Sequence, residues 1–324
     1  MGSLLSLVLA VAAARVVPLP SADQERVALL ARDAADAAAH ARYEEALDIY
    51  HKAVALMPEG SDDLPPALNN MAEVMRALGR FRDAESLHRR VLAMREARYG
   101  TGHEDVAQSL NNLGEVLRDQ RRLRAAEDAE RRALSIAEVR FGDRHEVTAL
   151  ILTNLGQVLM QQRRLGEAES ILDRASSSWD SLGATGTGAA IATNNLAIVY
   201  SQTGRRERAE ALYLRVRERL TGTLGGDHPY VAAITCNLAQ LYRSLHRNAD
   251  AAREFERALA IYAQCVPDGH PAVTSALAGY AAALRAEGRA HEARVALARS
   301  RTLRQEHDRV EGSAWTVDAR ELSR

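Results

Sequence analysis

The stretch SLNNLGEVLRDQRRLRAAEDAERRALSIAEVRFGDRHEVTA, Ser109 to Ala149, decides the fold. It reads as two helical runs with small residues where they would cross, closed by a Gly142-Asp143-Arg144-His145 turn, and the chain then repeats it. Asn70, Asn112, Asn154, Asn195 and Asn237 fall at intervals of 42, 42, 41 and 42 residues, and Gly279 takes the next slot. Self-similarity at a fixed period marks a stack of supersecondary units sharing one continuous core, because no unit can bury its apolar face alone.

Within each unit the first run carries an asparagine, then Leu or Met, then Gly or Ala, then two further apolar positions. Asn112, Leu113, Gly114, Val116 and Leu117 form one copy, and Asn195, Leu196, Ala197, Val199 and Tyr200 another. Apolar residues spaced by three and four make a helical stripe. The small residue (Ala72, Gly114, Gly156, Ala197, Ala239, Ala281) admits a neighbouring helix at close range. A turn follows at Gly79-Arg80, Arg121-Arg122, Arg163-Arg164, Gly204-Arg205, His246-Arg247 and Gly288-Arg289. An alanine then opens the buried stripe of a second helix: Ala84, Ala126, Ala168, Ala209, Ala251 and Ala293. Pro58, Pro65, Pro66, Pro229, Pro267 and Pro271 all fall in connections or first helical turns, where a missing N–H costs little.

These residues resemble the tetratricopeptide repeat, whose pattern W-x-x-L-G-x-x-Y…A-x-x-x-F…P has a period of about 34 residues. The longer period here and the terminal G-D-x-H-P-x-V phrase are similar to the repeats of kinesin light chains and related bacterial proteins. Two features depart from the pattern: Leu110 or its equivalents hold the tryptophan position, and the closing proline has moved to the next helix's start. The resemblance spans about nine-tenths of the chain and implies an all-α, right-handed superhelical α-solenoid of about seven helix pairs. The units fall near 23–62, 63–104, 105–146, 147–187, 188–229, 230–271 and 272–311. The extra length fits as about two added turns at the second helix's end, for example Ser135 to Phe141.

Composition agrees. The 324 residues exceed what one compact core usually holds, and they are 47% hydrophobic but only 4% aromatic, which suits many thin layers. A formal charge of −1 gives no electrostatic reason to expect nucleic acid or an anionic membrane as partner. Lys52 is the only lysine among 42 basic residues, and no arginine cluster stands unbalanced by acids. Two cysteines, Cys236 and Cys265, in no C-x-x-C spacing support neither a disulfide framework nor zinc.

At the ends the pattern stops. Residues 3–14 are apolar, too short to span a bilayer but of the length of a secretory h-region, with Ala10, Ala12 and Ala14 available for cleavage. Residues 1–20 therefore read as an export leader, although the n-region lacks a basic side chain; the alternative is an apolar helix packed on the first repeat. Ser21 and Gln24 form a capping box. The tail, 312–324, carries Trp315, which would cover the last hydrophobic face, dock elsewhere or stay disordered.

The resemblance places the asparagine ladder in a concave groove lined by first-helix side chains. There each amide, donor and acceptor at once, would grip a peptide or extended protein segment by its backbone. The alternative is that each asparagine bonds the adjacent helix and sets register. Asn70, Asn112, Asn154, Asn195 and Asn237 are thus the candidate contacts, joined by Glu73, Glu115, Gln157, Gln240 and Arg243. With Asn69, Asn111, Gln108 and Asp119, the early groove reads as polar and acidic; Leu150, Thr153, Gln157, Ile191, Asn194 and Ile198 make its middle more apolar, and Gln240 and Arg243 follow, then Ala278 and Ala282. A ligand with basic or polar residues at one end and an apolar anchor near the middle would match, and reversing Glu73 and Glu115 to lysine should weaken its binding. Glu85–Arg89 and Glu127–Arg131 read as solvated i,i+4 pairs.

His103, His145, His228 and His270 recur about one repeat apart, too far for one zinc ion, and read as helix-start devices. Gly183, Gly186 and Gly188 lack the spacing and the preceding strand of a phosphate loop and read as a flexible joint. No catalytic motif appears, and no metal or cofactor is expected. The expected function is a non-enzymatic interaction scaffold; the rival is a regulatory subunit or adaptor of a protease or NTPase on another chain.

Overall fold

The computed structural model describes residues 22–267 and 269–311. Among the described residues lie fourteen α-helices and no strand. They run as seven pairs: α1 (Ala22–Ala39) with α2 (Tyr43–Ala55), α3 (Leu64–Ala77) with α4 (Phe81–Tyr99), and α5 (Glu104–Asp119) with α6 (Leu123–Phe141). Next come α7 (Glu146–Gln161) with α8 (Leu165–Ser181), and α9 (Thr187–Gln202) with α10 (Arg206–Leu224). Last are α11 (Pro229–Ser244) with α12 (Asn248–Cys265), and α13 (Pro271–Ala286) with α14 (Ala290–Glu311). The chain is an all-α solenoid. No helix among the described residues is long and apolar enough to cross a membrane. The expected export leader, the Ser21 cap and the Trp315 tail lie outside the described residues.

Packing divides the chain into two compact units, up to Ala67 and from Leu68 onward. In the first, α1 and α2 close on a seam of Ala34, Ala37, Ala46 and Ala53, filled by Leu47 and Tyr50. In the second, each helix from α4 onward packs on its successor. Its interior is one seam: Tyr200 and Leu212 pack against both the apolar cluster that begins at Val106 and the one that ends at Leu303.

The small residues do what their spacing implied. A Cβ on Gly156 would overlap the branch of Leu172, and one on Gly279 would overlap the Phe255 ring. Every turn within a pair of this unit closes alike, with the second turn residue's N–H returning to a carbonyl five residues back: Arg122 to Leu117 at 2.9 Å, Arg164 to Leu159 at 3.0 Å and Arg247 to Tyr242 at 2.9 Å. That wrap needs a left-handed residue, filled by glycine at Gly79 (φ 71°), Gly204 (φ 84°) and Gly288 (φ 82°) but by Arg121, Arg163 and His246 in the other three turns.

The boundary histidines are helix caps. The Nδ1 atoms of His103, His145, His228 and His270 each accept the N–H two residues on, at 3.2 Å. The helix before stacks on the cap, Tyr99 on His103 and Phe141 on His145. At α9 Gly186 takes the cap position without a side-chain bond. In the glycine segment Gly183 and Gly186 stand in open space, while Trp179 fills the space where a Gly188 side chain would stand and its Nε1–H reaches Thr153 Oγ1 at 3.3 Å.

Candidate inner-face binding site

First helices pack directly on first helices, α5 on α7, α7 on α9, α9 on α11 and α11 on α13. Second helices are joined across a wider gap by long side chains, as Arg174 to Glu138 at 2.7 Å and Arg132 to Glu96. The first helices therefore crowd one side of the stack, and their outward residues form its tighter, inner face.

The asparagines sit at graded depths on this face. Asn70 is exposed, Asn112 and Asn237 are half-buried, and Asn154 and Asn195 are buried. Two of them reach back across a repeat: Asn154 Nδ2 donates to Asn111 Oδ1 at 2.9 Å, and Asn237 Nδ2 to Asn194 Oδ1 at 2.8 Å. These bonds join α5 to α7 and α9 to α11, so at those positions the amide locks register. Asn154 also donates to Glu115 Oε1 at 3.0 Å.

The early carboxylates are spoken for. Arg76, 4% exposed, meets Glu73 at 3.2 Å, Glu115 at 3.5 Å and Asp119 at 2.6 Å. Arg118 bridges Asp119 at 3.3 Å and donates to Gln157. His88, fully buried, holds Asn69 Oδ1 at 3.1 Å and stands 3.5 Å from Glu73. The acidic reading of this end therefore omitted two arginines placed inside it. Lysines at 73 and 115 would break the chain's own network before reporting on any ligand.

Further along, the face changes. Leu150 is 41% exposed. Ile191 and Ile198 are half-buried, Gln240 is half-buried, and exposed Arg243 donates to Gln240 at 3.0 Å. Cys236 stands beside the ladder, where burial pushes its thiol up to about 12 and a bond with Tyr262 only partly offsets this. It packs against the apolar seam.

Sequence reasoning missed a second ladder on the turn edge. Arg122 reaches Glu85 of the preceding pair at 2.7 Å, Arg164 reaches Glu127 at 2.6 Å, Arg247 reaches Glu210 at 3.0 Å, and Arg205 pairs with Glu169. Gln120 and Gln162 add bonds of 3.0 Å to Glu85 and Glu127, and bind the carbonyls of Phe81 and Leu123. Burial opposes ionisation of Glu85, but bonds from Gln120, Arg89 and Arg122 outweigh it and hold its pKa below the ordinary value. These carboxylates clasp one repeat to the next. The signal was present as a Glu and an Arg recurring 37 residues apart.

Among the described residues no group of three or more His, Cys, Asp or Glu is placed to hold a metal ion. The tetratricopeptide repeat model matches residues 63–138, 147–221 and 188–264. Similar solved structures include BtubC (BKLC) of P. vanneervenii, with a TM-score of 0.59 and 22% identity over 75% of this chain and 96% of that one. The kinesin light chain repeats of Podosopora anserina give a TM-score of 0.55 and 20% identity over 64% of this chain and 99% of theirs. A Rap protein complexed with competence and sporulation factor gives 0.57 and 16% identity over 86% and 79%. No curated protein matches the sequence.

Proposed function

This chain belongs to the tetratricopeptide-repeat family, with kinesin-light-chain-like repeats, and from that premise we propose a non-enzymatic scaffold that binds a peptide or extended protein segment along the inner face. The observation that carries the reading is the pairing of exposed Leu150 and half-buried Ile191 and Ile198 with polar side chains one repeat to either side. Asn112 precedes that apolar patch and Gln157 shares α7 with Leu150; Gln240 and Arg243 follow it. Apolar side chains at the centre anchor the ligand, and the amides bond its backbone. Asn70 extends the same row. Glu73 and Glu115 hold Arg76 inside the fold and support the face rather than meeting the ligand. A stacked face that is already ordered spares the receptor most of the ordering cost of binding.

That a Rap protein of like fold is complexed with competence and sporulation factor accords with this use of the fold. The test is capture by the purified chain with identification of what is bound, repeated with Leu150→Arg and Arg243→Glu. Both sites are exposed, so both variants should keep the wild-type denaturation midpoint. A partner held by wild type and lost by Leu150→Arg supports the reading; one held equally by both variants defeats it. A protease or NTPase as the captured chain would turn the reading toward a regulatory subunit.

A further inference from the structure

One position in the second helices is apolar or aromatic in most repeats and lies beneath the first helices: Leu172, Tyr213 and Phe255 are all buried there. In α6 the same position is Glu130. It is 0% exposed, and neither carboxylate oxygen has a hydrogen-bond partner. Its carboxyl occupies the space that a Cβ on Gly114 would need, with Oε1 at 2.5 Å from that point. Leu172 stands in the same relation to Gly156 one repeat later. The fold thus provides a leucine-shaped place and fills it with an acid.

We propose that Glu130 is a proton-operated latch on the joint between α5 and α7. With its carboxyl neutral, the α5–α6 pair closes as its neighbours do. When the proton leaves to solvent, the new charge lies against Glu115, the carboxylate to which Asn111 (3.2 Å) and Asn154 (3.0 Å) are bonded. Repulsion there loosens the amide bonds that hold α5 to α7 in register.

The charged groups around the latch support that order of events. From α5 it faces Glu115 and Arg118; behind them stand Asp119 and, on α3, Arg76. Arg118 is engaged by Asp119 and Gln157, and Arg76 by Glu73, Glu115 and Asp119, so neither is held by Glu130. The buried residues of α7, on the other side, include no charged group. Burial and then the Glu115 charge push the Glu130 pKa well above the ordinary value, and Arg118 offsets only part of it. The folded chain therefore holds a proton that the unfolded chain releases near the ordinary carboxylate pKa. Over the interval between the two pKa values, each rise of one pH unit shifts the equilibrium toward the loosened or unfolded form by about tenfold.

The claim does not depend on the identity of a groove ligand, and its test uses the full chain without one. Denaturation midpoints of wild type and Glu130→Leu are compared from pH 4.5 to 8.5. The leucine variant copies the Gly156–Leu172 packing and should fold; its advantage over wild type should be near zero at the acid end and widen steadily as pH rises. A difference between the two that stays constant with pH overturns the latch. Glu130→Gln gives a second reading: infrared absorption of a protonated carboxyl at pH 7 should be present in wild type and absent from this variant. Its absence from wild type would also overturn the proposal. Hydrogen exchange should place the pH-dependent loosening in α5 and α7; loosening confined to the ends of the array would contradict it.

Discussion

Glu127 and Glu130 stand three residues apart on α6 and meet opposite fates. Glu127, on the turn edge, receives bonds from Arg131 at 2.8 Å, Gln162 at 3.0 Å and Arg164 at 2.6 Å. Burial works against its charge, but those three donors outweigh it and its pKa falls. Glu130, facing inward, has no donor at all, and its pKa rises. One helix therefore carries two acids whose linkage to stability has opposite sign. The lesson is that burial alone does not set the outcome; the supply of donors does. It also shows how a solenoid divides its labour, with ionised clasps at the rim and a neutral acid in the seam.

The strongest way to break the comparison is to move the inward acid one repeat along. Leu172→Glu places a carboxyl against Gly156, within the apolar cluster that holds Leu155, Leu159 and Trp179. An ionised carboxyl there would go unpaired, and the substitution should cost about 3–5 kcal/mol, read as a fall in the chemical denaturation midpoint. If Leu172→Glu is tolerated at neutral pH, the seam is more polar or wetter than its packing implies, and the special status of Glu130 goes with it.

A smaller effect follows at the rim. Because the folded-state pKa of Glu127 is depressed, its contribution is present above the ordinary carboxylate pKa and is lost as pH falls through the folded value. Glu127→Gln should therefore cost about 1 kcal/mol at pH 7, kept modest because solvent reaches the clasp, and should approach wild type as pH falls through the folded value. The Glu130→Leu curve bends the other way. Finding the same sign of pH dependence for both acids would remove the contrast between rim and seam.

The two positions also show how far the letters alone reach. Period, helix pairs, small crossing residues and the histidine starts were legible because each recurs at a fixed interval, and recurrence averages out local ambiguity. The clasps were not, because a Glu four residues before an Arg on one helix is so common a pairing that Glu127–Arg131 absorbed the attention due to Arg164. Glu130 was invisible for a different reason: an acid among Glu127, Asp128, Arg131 and Arg132 looks like one more surface charge until the turn of the helix is fixed. The ladder lies between these cases. Its spacing was plain, yet whether an amide faces a ligand or a neighbouring helix depends on depth. The structure shows Asn154 and Asn237 turned to their neighbours and leaves Asn70 exposed.

The smallest expected effect separates the pair read within one helix from the clasp between helices. Arg131→Ala removes an i,i+4 partner that is 45% exposed and should cost about 0.2–0.5 kcal/mol. Arg164→Ala removes a donor that reaches Glu127 from the next repeat while also bonding Gln162 at 2.8 Å, so it should cost more than Arg131→Ala. It should also carry a lower unfolding cooperativity, because adjacent repeats fold together only through the contacts they share. Arg131→Ala leaves the Arg164–Glu127 bond in place and removes only a 3.5 Å pair with Glu167 of the next repeat, so it should shift the midpoint slightly with a smaller change of slope. Equal losses and equal slopes for the two would make Glu127 an ordinary surface acid, and the inter-repeat clasp would then be geometry without energetic weight.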